Sequence, residues 1–310
     1  VANSSGLNTT GVLSRVTVAA ITAALVATTT SAVAAEAPKP AEKAVSAAAQ
    51  ALAAPKANKA AASAAEADFR YLGAVSGPHM YWYAPNSTGG YEARELQTSD
   101  WDIFKNAQQA DNDGDGVAED LWAWTNDGTL VYADGDVEDS GITVGKGWNI
   151  YNKVLVPGDL GGAPAPDMLG RDASGKLYLY LGYGDGKLTG RTLVGGGWGQ
   201  YTQIAGVGDL SGDGKADIVA RDGSGALYLY KGTGNYKAPF AARTKIGGGW
   251  NAFNSLVGVS DLDFDGRADL IARDTGGKLY RYSGTGNAAA PFKPKALIGT
   301  GGWNTYRFMF

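Results

Sequence analysis

The sequence predicts an all-β chain: a five-bladed β-propeller of four-stranded antiparallel blades, with a C-terminal strand closing the N-terminal blade. Three observations predict it. The first is a repeat. A glycine-rich approach, a tryptophan and an aromatic three residues later recur at Trp101–Phe104, Trp148–Tyr151, Trp198–Tyr201, Trp250–Phe253 and Trp303–Tyr306, at intervals of 47 to 53 residues. A period near fifty built from short strands points to a ring of sheets, because one such unit cannot bury both faces alone. The second is the content of each period. The best-preserved unit reads as strands at Ile204–Val207, Ile218–Arg221, Ala226–Tyr230 and Arg243–Ile246, with Asp and Gly in the turns where hairpins need positive φ or a local side-chain hydrogen bond. The third is a pair of complementary deficits. Arg307–Phe310 follow the fifth tryptophan where every earlier unit begins its first strand, and the segment from Phe69 lacks that first strand and its acidic loop. Pairing the two ends would remove open sheet edges.

The third strand of each unit recurs as Met80–Tyr83, Leu130–Tyr132, Leu177–Tyr180, Leu227–Tyr230 and Leu279–Tyr282. Aliphatic alternates with aromatic instead of apolar with polar, so both faces are covered, as in a blade held between two neighbours. The tyrosines are therefore read first as packing residues.

Ahead of the repeats the composition changes. Arg15, the apolar run Val16–Ala27 and the small residues Ser31–Ala35 have the order of a secretory signal peptide, assigned to 1–35, and the run is too short to span a membrane. Residues 36–67, mostly Ala with scattered Lys, Glu and Pro, are expected to be a linker, a mobile tether or partly helical spacer. The propeller takes 68–310, and a secreted monomer is expected. With no cysteine, stability has to come from burial and from bound metal. The net charge of −4 disfavours nucleic acid and anionic membrane surfaces as partners.

Acidic loops join the first and second strands. Asp261, Asp263, Asp265, Gly266 and Asp269 stand at loop positions one, three, five, six and nine; Asp209, Ser211, Asp213, Gly214 and Asp217 repeat them. Asp111, Asp113, Asp115 and Gly116 do so too, with either Glu119 or Asp120 as the last ligand, since that loop is one residue longer. Position seven (Val117, Lys215, Arg267) completes the candidate ligand sets. A hard cation of calcium's size takes six or more oxygens, which alternate residues of a tight loop supply while Gly permits the turn. The fourth loop, Asp159 to Asp167, keeps only the first and last carboxylates and is expected not to bind. The three full windows hold twelve of the chain's 31 acidic residues, a density that a divalent ion would relieve. About three Ca²⁺ sites are expected.

Asp-x-Asp-x-Asp-Gly-x-x-Asp ahead of an aliphatic strand resembles the FG-GAP (VCBS) repeats, clearly over 105–304 and weakly over 69–104. That resemblance implies a propeller whose loops bind calcium, as in integrin heads and bacterial surface proteins. Leu297 to Phe310, with Gly301-Gly302-Trp303-Asn304, is also similar to the tachylectin-type repeat of five-bladed lectins, although those repeats lack the acidic loop.

No enzyme chemistry is legible. His79 is the sole histidine, there is no cysteine and no G-x-S-x-G, and the G-x-G strings fall in hairpins. The Arg171-Asp172, Arg221-Asp222 and Arg273-Asp274 pairs repeat at strand ends, as structural brackets would. A glycosidase, which needs unlike carboxylates converging on the axis, is a remote reading. Glycan binding comes first: Trp148-Asn149, Trp250-Asn251 and Trp303-Asn304, with Trp101 and Trp198 as variants, pair a ring for the sugar's C–H face with an amide for its hydroxyls. The same tryptophans could instead pack between blades. The alternative function is an extracellular protein-binding module, with Met80, Tyr81, Trp82 or the insert Glu138–Ile142 as its contact residues.

Overall fold

The computed structural model describes residues 39–52, 69–137 and 140–310, so the signal peptide expected at 1–35 lies outside the described residues. Five four-stranded antiparallel sheets form the propeller. Blade 2 holds β4 (Phe104–Ala110), β5 (Asp120–Thr125), β6 (Leu130–Ala133) and β7 (Ile142–Gly145). Blade 3 holds β8 (Tyr151–Gly158), β9 (Asp167–Asp172), β10 (Leu177–Tyr180) and β11 (Thr192–Gly195). Blade 4 runs through β12 (Tyr201–Gly208), β13 (Asp217–Asp222), β14 (Leu227–Tyr230) and β15 (Thr244–Gly247), and blade 5 through β16 (Phe253–Ser260), β17 (Asp269–Asp274), β18 (Leu279–Tyr282) and β19 (Ala296–Gly299). Blade 1 is composite. β1 (Leu72–Ser76), β2 (His79–Tyr83) and β3 (Glu95–Thr98) accept β20 (Phe308–Met309) beside β1, with Ala74 opposite Met309 and Val75 opposite Phe308. Gly73 and Phe310 exchange both backbone hydrogen bonds, at 2.8 and 2.9 Å, which closes the ring as the complementary ends require.

The core is divided among the blade interfaces. Leu177 and Leu179 face blade 4 beside Ile218 and Ala220, whereas Tyr178 and Tyr180 face blade 2 beside Trp148 and Tyr151. Alternation thus buries both sides of one strand, as a sandwiched sheet requires. Each tryptophan opens a single 3-10 turn, and the residue before it is left-handed: Gly147, Gly197, Gly249 and Gly302 at φ 78 to 86°, and Asp100 at 69°. The glycine-rich approach exists because a side chain there is strained. Arg171, Arg221, Arg273 and Arg307 then reach the next blade and donate to the carbonyls at its tryptophan and following aromatic, for example Arg273 Nη1 to Trp303 O at 2.8 Å and Tyr306 O at 2.9 Å. The aspartates beside the first three cap their own hairpins. Those pairs are brackets.

The stretch read as a mobile tether or partly helical spacer does contain a helix, α1 (Pro40–Leu52), but one that packs on blades 1 and 2. Pro40 takes the first helical position and Glu42 accepts the N–H of Lys39, a box that starts the helix. Ala44, Ala47, Ala48 and Ala51 form one stripe and are fully or almost fully buried against Trp82, Trp101, Val131 and Ala133, while Trp82 Nε1 donates to Ala51 O at 2.9 Å. Alanine buries little of its own surface, which is why the sequence suggested a free spacer. Here the large apolar surface belongs to the partners, and small side chains let the helix come close enough to cover it.

Candidate functional site

Two sets of recurrent side chains are candidates: the acidic loops that follow the innermost strands, and the clefts between neighbouring blades.

In every acidic loop the last aspartate serves the backbone. Asp120 accepts the N–H of Asn112 and of Gly135, Asp217 those of Leu210, Ser211 and Gly232, and Asp269 those of Leu262 and Gly284. Asp167 does the same for Leu160 and Gly182 in the loop that has lost its middle carboxylates. Burial raises these carboxyls, to about 6 at Asp120, Asp167 and Asp217 and about 7 at Asp269. The first aspartate folds the loop: Asp111 accepts from Gly114 and Gly116, Asp209 from Gly212, Asp213 and Gly214, and Asp261 from Asp265 and Gly266.

The three full loops differ in what remains. At the first, the carboxylates of Asp113, Asp115, Glu119 and Asp136 lie within 4.8 Å of one another. Glu119 Oε2 is buried without a hydrogen-bond partner, and burial, with Asp115, Asp120 and Asp113 nearby, pushes its carboxyl up to about 8. Glu119 therefore lies in the acidic cluster and Asp120 in the backbone frame. At the last, Asp261, Asp263 and Asp265 form a second group, partly compensated because Asp263 pairs with Arg281 at 3.0 Å and Asp265 with Lys293 at 2.5 Å. Asp209, Ser211, Asp213 and Asp217 form no comparable carboxylate group among the described residues, and Asp213 stands 3.9 Å from Lys231. Asp263 Oδ1 at the last loop is likewise buried without a hydrogen-bond partner, so both sets of hard oxygen donors fit a calcium-like ion. Val117, Lys215 and Arg267 lie at their loop positions; Val117 N donates to Asp115, Lys215 N to Asp213, and the Arg267 side chain bonds Thr285 O. Sequence reasoning missed Asp136, which comes from the turn after β6.

The tryptophans are packed. Trp101, Trp148, Trp198, Trp250 and Trp303 are 8% exposed or less. Four of them lie against a tyrosine of the following blade: Trp148 on Tyr180, Trp198 on Tyr230, Trp250 on Tyr282 and Trp303 on Tyr83, with ring centroids 4.6 to 4.8 Å apart. The packing alternative thus describes their faces, and Trp101 sits beneath α1. Asn149, Asn251 and Asn304 are exposed but tie adjoining turns: Asn251 donates to Gly223 O at 3.2 Å, Asn304 to Thr275 O at 3.0 Å, and Asn149 lies against Gly128. Met80 and Trp82, candidates for a protein-binding surface, are buried under α1 instead, because their face of β2 is the one turned toward blade 2. Glu138 and Asp139 of the insert lie outside the described residues.

A cleft does open beside the packed rings. At the blade 5 to blade 1 interface about 340 Å³ is lined by Tyr83, Arg94, Gly301, Gly302, Trp303, Thr305 and Tyr306. Tyr83 and Tyr306 share a hydroxyl contact of 2.5 Å, and Arg94 donates to Tyr306 Oη at 2.7 Å. The arrangement recurs as Tyr151, Tyr180 and Arg191, and as Tyr201, Tyr230 and Arg243, with the same 2.5 Å between hydroxyls. Phe253, Tyr282 and Lys295 stand at the fourth such interface. The cation precedes the last strand of each unit, a regularity the sequence displays and its reading passed over.

No helix among the described residues is long and apolar enough to cross a membrane. None of the curated proteins matches the chain. Among solved structures it is similar to the BP39L lectin of Burkholderia pseudomallei (15% identity, 74% of this chain and 69% of that one, TM-score 0.46). It is also similar to BBS1N from a complex with ARL6DN (13% identity, 73% of this chain, TM-score 0.38), of whose length it spans 63%. PorZ, a surface component of the type-IX secretion system of Porphyromonas gingivalis, is similar at 14% identity over 75% of this chain and 28% of that one, with a TM-score of 0.37. The family of FG-GAP-like repeats matches residues 164–220 and 209–272. The two matches run from β9 into β17, so this part of the five-bladed propeller is similar to FG-GAP-like repeats.

Proposed function

We propose that this chain is a secreted, non-catalytic, calcium-stabilised propeller that binds glycans in the clefts between its blades. The observation that carries the reading is the cleft at Trp303. It combines the edge of a packed aromatic, tyrosine hydroxyls, a threonine and a guanidinium in a space of small-molecule size. Repetition around the ring would multiply weak single contacts into useful avidity. Calcium at the loop of Asp113, Asp115, Glu119 and Asp136, and at that of Asp261, Asp263 and Asp265, would neutralise crowded carboxylates and add to folding stability wherever the unfolded chain lacks the site. The protein-binding alternative has lost two of its named contact residues to burial under α1.

Passing the protein over a panel of immobilised neutral and acidic glycans, with and without chelator, tests the reading. Retention that a soluble competitor glycan reverses supports it. Indifference to every glycan, with capture of a secreted protein instead, would replace it with the interaction module.

A further inference from the structure

We propose that the four inter-blade interfaces that α1 leaves uncovered, one of them holding the cleft at Trp303, read acidic glycans, sugars carrying a carboxylate or sulfate, through Arg94, Arg191, Arg243 and Lys295. This rests on the glycan reading above and specifies its ligand class.

The four cations occupy one repeat position, immediately before the last strand of blades 1, 3, 4 and 5. Each lies over the ring of a tyrosine on the neighbouring strand: Arg94 over Tyr81 at 4.4 Å, Arg191 over Tyr178 at 4.6 Å, Arg243 over Tyr228 at 4.4 Å and Lys295 over Tyr280 at 4.3 Å. All four are exposed. Elsewhere this acidic chain pairs its exposed cations readily: Lys43 with Asp100, Lys187 with Asp185, Lys293 with Asp265. Among the described residues none of the four cleft cations has a carboxylate partner within ion-pair distance. The tyrosine ring and hydroxyl hold each guanidinium in place, and the bonds formed use one or two of its five N–H donors. A guanidinium fixed on one side and open on the other suits a planar carboxylate or a sulfate.

The fifth interface is an internal control. There Val131 and Ala133 replace the two tyrosines of the third strand, and Gly141 stands where the others have the cation. That cleft is filled by α1, whose Ala44, Ala47, Ala48 and Ala51 cover Val131, Ala133 and Trp101. Val45 lies so close that a Cβ on Gly141 would meet it at 2.7 Å. Tyrosines and cation are thus present at the four interfaces that α1 leaves uncovered and absent at the one it covers.

The test uses the full chain with three probes of matched length: polygalacturonate, dextran sulfate and neutral dextran, each titrated at low and at 0.3 M salt. The expected result is at least tenfold tighter binding of one or both acidic polymers than of dextran, weakened by salt. Combining Arg94→Gln, Arg191→Gln and Arg243→Gln should reduce acidic-polymer binding at least tenfold without moving the melting point, with the three Arg→Lys replacements recovering part of it. Lys187→Gln, a surface cation outside the clefts, should leave binding unchanged; an equal loss there would show bulk electrostatics and overturn the proposal. Retention of a neutral glycan such as chitin, unaltered by the triple variant, would overturn the acidic class and leave the glycan reading standing. Binding of no glycan at all would remove both.

Discussion

In the loop from Asp159 to Asp167 the final carboxylate accepts N–H groups from Leu160 and Gly182, and in the loop from Asp111 to Asp120 its counterpart does the same for Asn112 and Gly135. Their middles share nothing. Ala163, Pro164 and Pro166 occupy the one, whereas Asp113, Asp115 and Glu119 crowd the other and recruit Asp136 from the next turn. The last aspartate is therefore a frame residue whose work is to satisfy backbone donors, and it persists where the middle carboxylates are gone. The middle positions are free to gain or lose carboxylates without disturbing the blade.

The sharpest way to break this distinction is Asp167→Ala. The buried N–H of Leu160 and the half-buried N–H of Gly182 lose their acceptor, at about 1–3 kcal/mol each. In a domain of this size that should lower the melting point by roughly 5–15 °C, by the same amount in calcium and in chelator. A loss that appears only in calcium would mean the frame is a metal site after all. Calcium itself should come next: at a hundred times its dissociation constant one site contributes about 2.7 kcal/mol, so chelation should lower the melting point by several degrees, and coincident melts would remove the cation from the account. Combining Asp113→Asn with Asp136→Asn should abolish the share of that response due to the first loop, while Asp159→Asn leaves the response intact; differential scanning calorimetry across a calcium series separates the two. The smallest effect is a pH slope. Burial lifts Asp167 to about 6, above the roughly 3.9 of an unfolded chain. The folded protein therefore keeps a proton that the unfolded chain has shed, so this group favours folding most below about pH 4 and least above about pH 6. Asp167→Asn should flatten the melting-point profile across that window; an unchanged profile would show that the aspartate stays ionised.

The ring was legible because duplication wrote it five times. A repeat supplies its own alignment, so blade number, turn glycines and the arginine brackets could be read from one sequence. Closure by Phe308 and Met309 was legible as well, from the mismatch between the two ends. Asp136 was not, since the pattern that reveals a loop ligand is spacing within the loop, and this carboxylate arrives from a different turn. The docking of α1 escaped for a related reason: an alanine stripe says little until Trp82 and Trp101 are seen to supply the surface it covers. Burial of Met80 and Trp82 follows from the same omission. The placement of Glu119 in the acidic cluster and of Asp120 in the frame needed geometry, because the two are adjacent in sequence at the start of β5 and spacing alone does not tell which one faces the cluster.

The innermost strands meet around an axis lined by Gln108, Gln109, Lys153, Ile204 and Leu256, among others, and leave about 30 Å³ there. The hub of this wheel is consequently narrow beside the wider bowl of about 570 Å³ bounded by Asp111, Asp159 and Asp209, so the room for a solute lies at the mouth of the ring and not on its axis.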